Sequence, residues 1–545
     1  MAKNSFFRVR DKFREHNSLI LLVPICFAIF THLWNVSEFP SIHNDEGIYL
    51  RRSLHALNTS SPQEPRSIYD HPFLGWLLLS GLFKLLGYPD SLNPSSSDIF
   101  SIQLLYLVPR FFVGCLAVLD AFLIFKIGER LWDRNSRTTS FIAAILFSVI
   151  PYNTFTRMVF LESLQLPFLL ASILFALLVK KDKRLNYKFN ISLTLISGSL
   201  LGLAILTKIP AFTFIPLIGL LIFRNNNRKL PMLGLWFIPV ILLPLIWPTY
   251  SMYVGQFEIW AASIYYQTHR ISKPLFDIIN ESYSKDPLFF ILSMAGLAYA
   301  TVTIKKNFLL LLWGLPYIMF LYFISYVSSF HLIPLIPVFC IAAANLLIGI
   351  ANKITSGGIL NSFPNFINNK ARNNLSRILS IVAVTGIIIF SVLNTISSII
   401  KNENSDVFKT ISIASQSLPD RMVTSRDNGN SSNDYSLYDT STNPDDVTII
   451  GGQKYSWIME YVLNKNQEDI YKNPHNWIGD DKLKGILNGD KKVLLIADDN
   501  FKKIMSKEDL RPTANSELIA ETLSIVYERT RIIASFNGIE IRTNY

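Results

Sequence analysis

The sequence predicts a mainly α, polytopic membrane protein of about 11 spans, followed by a small extracytoplasmic α/β domain. Three observations carry this reading. The 545 residues are 50% hydrophobic and only 17% charged, with mean hydropathy +0.31, where a soluble chain is usually about 25% charged. The missing charge falls in long apolar blocks that end near residue 399. Basic clusters follow every second block, as the positive-inside rule requires of cytoplasmic loops. The net charge of +11 therefore does not point to nucleic acid: from residue 400 onward the chain carries 18 basic and 22 acidic residues, so the excess lies among the spans.

In chain order, residues 1–17 are polar and basic and are placed in the cytoplasm, and the membrane region runs over 18–399. Its first span is Ser18–Trp34, with no small-residue cleavage site behind it. An outer loop, 36–103, follows; within it His71–Leu86 is apolar enough to lie along the interface. Further spans are expected at Leu104–Ile127, Phe141–Tyr152, Leu164–Val179, Ile191–Leu206, Ala211–Phe223 and Leu233–Tyr250. A second outer loop covers 251–287. Spans at Leu288–Val302, Phe308–Tyr326, Leu332–Ile350 and Ile378–Ile399 complete the set. An odd number of spans puts residues 400–545 outside. There, Val447–Ile450, Val493–Ile496 and Ile532–Ala534 read as buried strands. Tyr455–Val462 and Glu517–Val526 read as helices, and Asp427–Asp446 as a polar loop. Gly451-Gly452 reads as a plain turn, not a nucleotide loop. Cys26, Cys115 and Cys340 each sit in an apolar run, without metal-ligand spacing.

Chemistry, if present, belongs to the outer loops, because the cytoplasmic ones are short and hold no nucleotide motif. Asp45-Glu46 lies just beyond the first span. Either it is a helix N-terminal acid pair, or it holds a carboxylate that deprotonates a hydroxyl. Asp70-His71-Pro72 reads as a cap before an interfacial helix, or as a contact for an anion. Glu162 stands at a span end, where a carboxylate faces a cavity or a partner; Arg157 is a candidate partner. Lys208 breaks the positive-inside trend in a tight outer connection. It either snorkels to headgroups or pairs with a lipid phosphate. His269, Arg270 and His331 add outer cations. Together these residues suit group transfer from a phosphate-linked lipid, with cations on the leaving phosphate and a carboxylate on the acceptor.

At this point the set resembles the GT-C membrane glycosyltransferases, in particular the protein O-mannosyltransferase and lipid A aminoarabinose-transferase branch, the dolichyl-phosphate-mannose–protein mannosyltransferase family. Asp45-Glu46 followed by Tyr49 matches the acidic motif of the first outer loop. Asp70-His71-Pro72 with Leu74 matches the His/Lys-Pro-Pro-Leu motif, with Phe73 in place of the second proline. Glu162 after Arg157 takes the second acidic position, usually Asp. Gly202 to Leu206-Thr207-Lys208 matches the Leu-Thr-Lys segment, and His331 to Pro337 is similar to a late-span Arg-Tyr-Leu-Leu-Pro run. The resemblance covers roughly residues 18–350. It implies inverting transfer of a sugar from a polyprenyl phosphate to a hydroxyl of a protein, lipid or glycan. Asp45, Glu46 and Glu162 would form the catalytic set, with Asp45 as general base. Asp70, His71, Lys208, His269, Arg270 and His331 would hold the lipid phosphate or sugar. It implies no cofactor and no metal. The rival class is a lipid or glycan transporter, which would show inverted repeats; none is evident.

Overall fold

The computed structural model describes residues 20–545 apart from 65–67, 133–135, 180–186, 227, 270–274, 325–326, 356–368, 419–446, 464, 466–487, 489–491 and 508–515. The polar loop expected at Asp427–Asp446 and the site candidate Arg270 lie outside the described residues. The contacts divide the chain into two units. One comprises residues 1–40, 65–77 and 109–401; the other comprises 41–64, 78–108 and 402–545.

The first unit is built from apolar helices. These are α1 (Leu22–Leu33), the longer part of α4 (Ile99–Leu131), α5 (Ser136–Val149), α6 (Leu161–Leu178), α7 (Tyr187–Thr207), α8 (Ile215–Asn225) and α9 (Lys229–Tyr253). They continue as α10 (Phe257–Thr268), α11 (Leu275–Lys285), α12 (Pro287–Val302), α13 (Ile304–Phe323), α14 (Ile336–Thr355) and α15 (Asn369–Ile399). Each expected span corresponds to one of these. Among the described residues, seven helices are long and apolar enough to cross a membrane. Four expected spans, at Leu22–Leu33, Ser136–Val149, Ile209–Asn225 and Pro287–Val302, are shorter. The outer loop 251–287 carries α10 and α11 rather than irregular chain.

Small residues set the tightest packing. A Cβ on Gly198 or Gly202 of α7 would lie 2.4 Å from Trp236 O or 2.5 Å from Pro239 O on α9. A Cβ on Gly296 of α12 would meet the Ala342 backbone of α14 at 2.5 Å. Backbones approach this closely only where side chains are missing, which is how helices associate where no hydrophobic force drives them. On the other face of α7, Ser197 Oγ donates to Ser172 O of α6 at 3.0 Å, and Ser172 Oγ to Ser197 O at 2.7 Å.

The second unit holds α2 (Asn44–Thr59), part of α3 (Leu74–Leu86), the start of α4, and the C-terminal α/β elements. The latter are α16 (Ser405–Gln416), β1 (Val447–Ile450), α17 (Gln453–Tyr461), β2 (Lys492–Ala497), α18 (Asp499–Met505), α19 (Ser516–Arg529), β3 (Arg531–Phe536) and β4 (Ile539–Thr543). The sheet order is β1-β2-β4-β3, with β1 and β2 parallel and the other pairs antiparallel. Its core joins Ile450, Val493, Leu495 and Ala497 to Phe501, Leu523 and Val526. The three expected strands and two expected helices are present, but the third strand is not buried as expected: Ile532 and Ile533 of β3 are exposed, because β3 is an edge strand of the sheet; α16, α18 and β4 are additions. β4 pairs with β3 across Asn537-Gly538, both at positive φ (43° and 90°). That is the Asn-Gly turn that hairpins select.

Candidate active site

The site begins in the first unit with Glu162, in the first turn of α6 and buried. Lys208, just past the end of α7, donates from Nζ to Glu162 Oε1 and is itself buried. His331 lies in the 3-10 segment Ser329–Leu335 that leads into α14. Its Nδ1 accepts from the Ser328 N–H at 2.8 Å, so the ring proton of the neutral form sits on Nε2. That nitrogen is 3.6 Å from Glu162 Oε1. A carboxylate buried at a membrane edge must be paired, and here the partners are Lys208 and His331. Arg157, the candidate partner from sequence, instead donates from Nη2 to Trp34 O and lies over the Phe39 ring at 5.4 Å. Nor does Lys208 snorkel: its Nζ sits 5.4 Å from the Phe330 ring centre, and Phe330 stacks on Phe160 at 4.5 Å.

The Asp70-His71-Pro72 motif also belongs to the first unit. Asp70 Oδ1 accepts from the His71 N–H at 3.0 Å. Next to it, Tyr69 N–H donates to Ser263 Oγ at 3.0 Å, and Tyr69 Oη donates to Gln256 Oε1 at 2.6 Å. Phe73, in the family's second proline position, meets Tyr250 edge-on at 5.7 Å. Gly75 follows, and a Cβ there would lie 2.4 Å from Leu161 Cδ2. The motif is thereby packed onto the residue before Glu162. His269 is not part of this grouping. It ends α10, exposed, stacked on Tyr265 at 4.0 Å with Nδ1 2.9 Å from Tyr265 O.

Asp45 and Glu46 lie in the second unit, in the first turn of α2. His43 is the N-cap, its Nδ1 accepting from the Asp45 N–H at 3.1 Å. Glu46 Oε1 accepts from the His43 N–H at 3.0 Å, completing a capping box. The two acids thus separate. Glu46 is buried and holds the helix start, while the Asp45 side chain keeps 30% of its surface. The chain just before α2 is fixed by Ser41 N–H on Glu403 Oε2 and Ile42 N–H on Asn404 Oδ1, both at 2.9 Å. A Cβ on Gly47 would lie 2.3 Å from Gln453 O, so α2 rests directly on the backbone of α17.

Residues 22–258 match the sequence model of the dolichyl-phosphate-mannose-protein mannosyltransferase family. The structure is similar to ArnT from Cupriavidus metallidurans bound to undecaprenyl phosphate, with TM-score 0.58 and 12% identity over 96% of this chain and 98% of that one. It is also similar to the Archaeoglobus fulgidus oligosaccharyltransferase tethered to an acceptor peptide, with TM-score 0.55 and 14% identity over 97% of this chain and 74% of that one. The archaeal oligosaccharyltransferase AglB from Archaeoglobus fulgidus, in complex with an inhibitory peptide and a dolichol-phosphate, gives TM-score 0.56 at 12% identity, over 98% of this chain and 74% of that one. The chain is a membrane glycosyltransferase of the GT-C fold. No curated protein matches it significantly by sequence.

Two residues of this glycosyltransferase escape sequence reasoning. Gln165, one turn after Glu162, donates from Nε2 to Ala204 O at 2.8 Å and to Lys208 O. It thereby adds a second donor to two carbonyls that already accept the Lys208 and Ala211 N–H groups and fixes Lys208 against Glu162. Arg110, fully buried in α4, donates from Nη1 to Val36 O at 3.1 Å and Pro40 O at 2.8 Å. With Arg157 on Trp34 O, it pins the chain that leads toward α2. An arginine inside an apolar run was the available signal. Among the described residues, no group of three or more His, Cys, Asp or Glu is placed to hold a metal ion.

Proposed function

We propose that this glycosyltransferase moves a sugar from a polyprenyl phosphate to an acceptor hydroxyl at the outer membrane face, with inversion. The reading places the N-terminus in the cytoplasm and residues 400–545 outside, with residues 18–399 as the membrane region. Asp45 takes the acceptor's proton as its oxygen attacks the anomeric carbon. The bond from that carbon to the phosphate oxygen breaks, and the lipid phosphate leaves with the electron pair. Asp45 suits the base because it keeps exposed surface, whereas Glu46 is held in the capping box.

The observation that carries the proposal is the buried Glu162–Lys208–His331 cluster at the positions that the family motifs mark. In this geometry Lys208 acts first through Glu162, holding that carboxylate in place. Its remaining ammonium hydrogens, with His71 and Arg270, then meet the phosphate. Glu162 orients the acceptor. Two of the structural neighbours are named with a polyprenyl or dolichol phosphate, and one with an acceptor peptide, in keeping with a lipid-linked donor and a macromolecular or lipid acceptor. The test is Asp45→Asn in purified protein. Transfer from a radiolabelled polyprenyl-phosphate sugar should fall by about 10³-fold or more, within the range of a lost general base and its positioning, while polyprenyl phosphate binding persists. Undiminished transfer would remove Asp45 from the role.

A further inference from the structure

The first unit holds a cavity of mixed polar and apolar lining that Glu162, Lys208 and His331 do not line. It has a volume of about 370 Å³ and lies where the adjoining ends of α11 and α12 face the end of α15 and Pro151. That is room for a small polar group, at the lower end of the usual ligand-pocket range.

Its lining carries both charges. Lys285 Nζ bonds Glu281 Oε1 at 2.8 Å and sits 4.3 Å from the Phe155 ring centre, with its side chain 41% exposed. Asp286 is the opposite case, buried at 6% exposure. Its Oδ1 accepts from the Phe289 N–H at 3.0 Å and caps α12. The Tyr152 backbone N–H also points toward this carboxylate, but Oδ2 is buried and makes no hydrogen bond of normal geometry among the described residues. An acceptor left in that condition is costly, and more so if it is charged. A ligand donor would relieve it. Across the cavity, Asn394 presents a side-chain amide flanked by Ser397 and Ser398.

The surroundings define the rest of the ligand. Phe390 lines the cavity one turn before Asn394, on the same helix face. Phe390, Ile389 and Leu393 are 52, 53 and 60% exposed on α15, a helix apolar enough to cross a membrane. The cavity thus sits near the end of a helix that is apolar enough to cross a membrane, the level at which lipid headgroups would lie around such a span. A ligand there meets a cation, an anion, an amide and an apolar wall together.

We propose that this cavity binds the headgroup of a phospholipid that carries both a phosphate and a free primary amine. The ammonium donates to Asp286 Oδ2. Phosphate oxygens accept from Lys285 Nζ and Asn394 Nδ2, and the acyl chains run along the Phe390 face of α15. The site lies beside the segment Pro151–Arg157, whose Tyr152 Oη donates to Ser329 O at 2.8 Å, two residues before His331. An occupied headgroup site therefore braces the segments that carry the catalytic cluster.

The test is native mass spectrometry of the full chain extracted from vesicles of equal phosphatidylethanolamine, phosphatidylcholine and phosphatidylglycerol. The expected result is retention of the ethanolamine lipid over the choline lipid by about tenfold, the size of one charge-assisted hydrogen bond. Asp286→Asn keeps a capping side chain and should bring that ratio near one. Lys285→Gln, which leaves the cap alone, should lower retention of the ethanolamine and glycerol lipids alike. Equal retention of all three lipids by the unaltered protein would overturn the proposal, as would an ethanolamine preference that survives Asp286→Asn. Soluble phosphoethanolamine captured in place of any lipid would overturn the lipid assignment.

Discussion

At the residue scale, the proposed chemistry turns on how a buried charge is kept. Glu162 and Lys208 are 1% and 4% exposed at their side chains and face each other directly. A buried pair of this kind adds little net stability over apolar replacements, but removing one partner strands the other, at a cost of about 3–5 kcal/mol. Lys208→Met alone should therefore lower the melting temperature in detergent and abolish transfer. Glu162→Gln with Lys208→Met should recover most of the melting temperature and none of the activity. If the double variant were as unstable as the single one, the pair would not be the reason Lys208 is needed. Asp45, Glu46, Glu162 and Lys208 are the candidates that the sequence offers, because polar residues beside apolar spans stand out. The division of labour between Asp45 and Glu46 was not legible there, since it depends on His43 receiving one hydrogen bond and giving another. Gln165 and Arg110 stayed hidden because their partners are backbone carbonyls remote in sequence.

At the element scale, the spans were legible because an apolar block in a low-charge chain has few alternatives, whereas β4 was missed for want of an apolar run: Ile539–Thr543 alternates Ile with Glu and Arg. Its polar side chains serve a network. Glu540 accepts from Lys502 Nζ at 2.9 Å, Tyr527 Oη at 2.8 Å and Arg542 Nη1 at 2.9 Å. Burial opposes its charge, but these donors outweigh burial and hold its pKa below the ordinary glutamate value. A depressed carboxylate gives stability that is complete above the unfolded pKa, about 4.3, and is lost as pH falls through the folded one. The melting temperature of the C-terminal α/β elements should therefore drop below about pH 4.3, and Glu540→Gln should flatten that drop. The α2–α17 contact gives a second expectation. Gly47→Val puts a branched side chain where Gln453 O lies 2.3 Å from a Cβ. It should displace α2 and cut transfer by more than tenfold, with polyprenyl phosphate binding unchanged. Binding and transfer falling in parallel would tell against that assignment.

At the scale of the whole molecule, the order of the chain is not the order of its contacts. The helix that starts with Asp45-Glu46 lies between two stretches of the membrane region, yet it packs with residues 402–545. Glu403 and Asn404 hold the chain at Ser41 and Ile42, and Gln453 sits under Gly47. Sequence reading separated these parts because it follows covalent neighbours, and a contact between residues about four hundred positions apart leaves no local pattern. The donor cluster of Glu162, Lys208 and His331 lies wholly in the other unit. The proposed base and the proposed donor cluster can therefore be disabled independently. A chain ending at Lys401 keeps every helix of the first unit but uncovers Gly47 and removes the side chains that hold residues 41 and 42. It should still insert in the membrane and bind a polyprenyl phosphate, while transfer is lost. Restoring the tail as Glu403→Ala with Asn404→Ala should give an intermediate rate, since α17 then supports α2 without the two hydrogen bonds. Full transfer by the truncated chain would mean that α2 is positioned from within the first unit alone, and the C-terminal elements would then have to be assigned a role other than carrying the base.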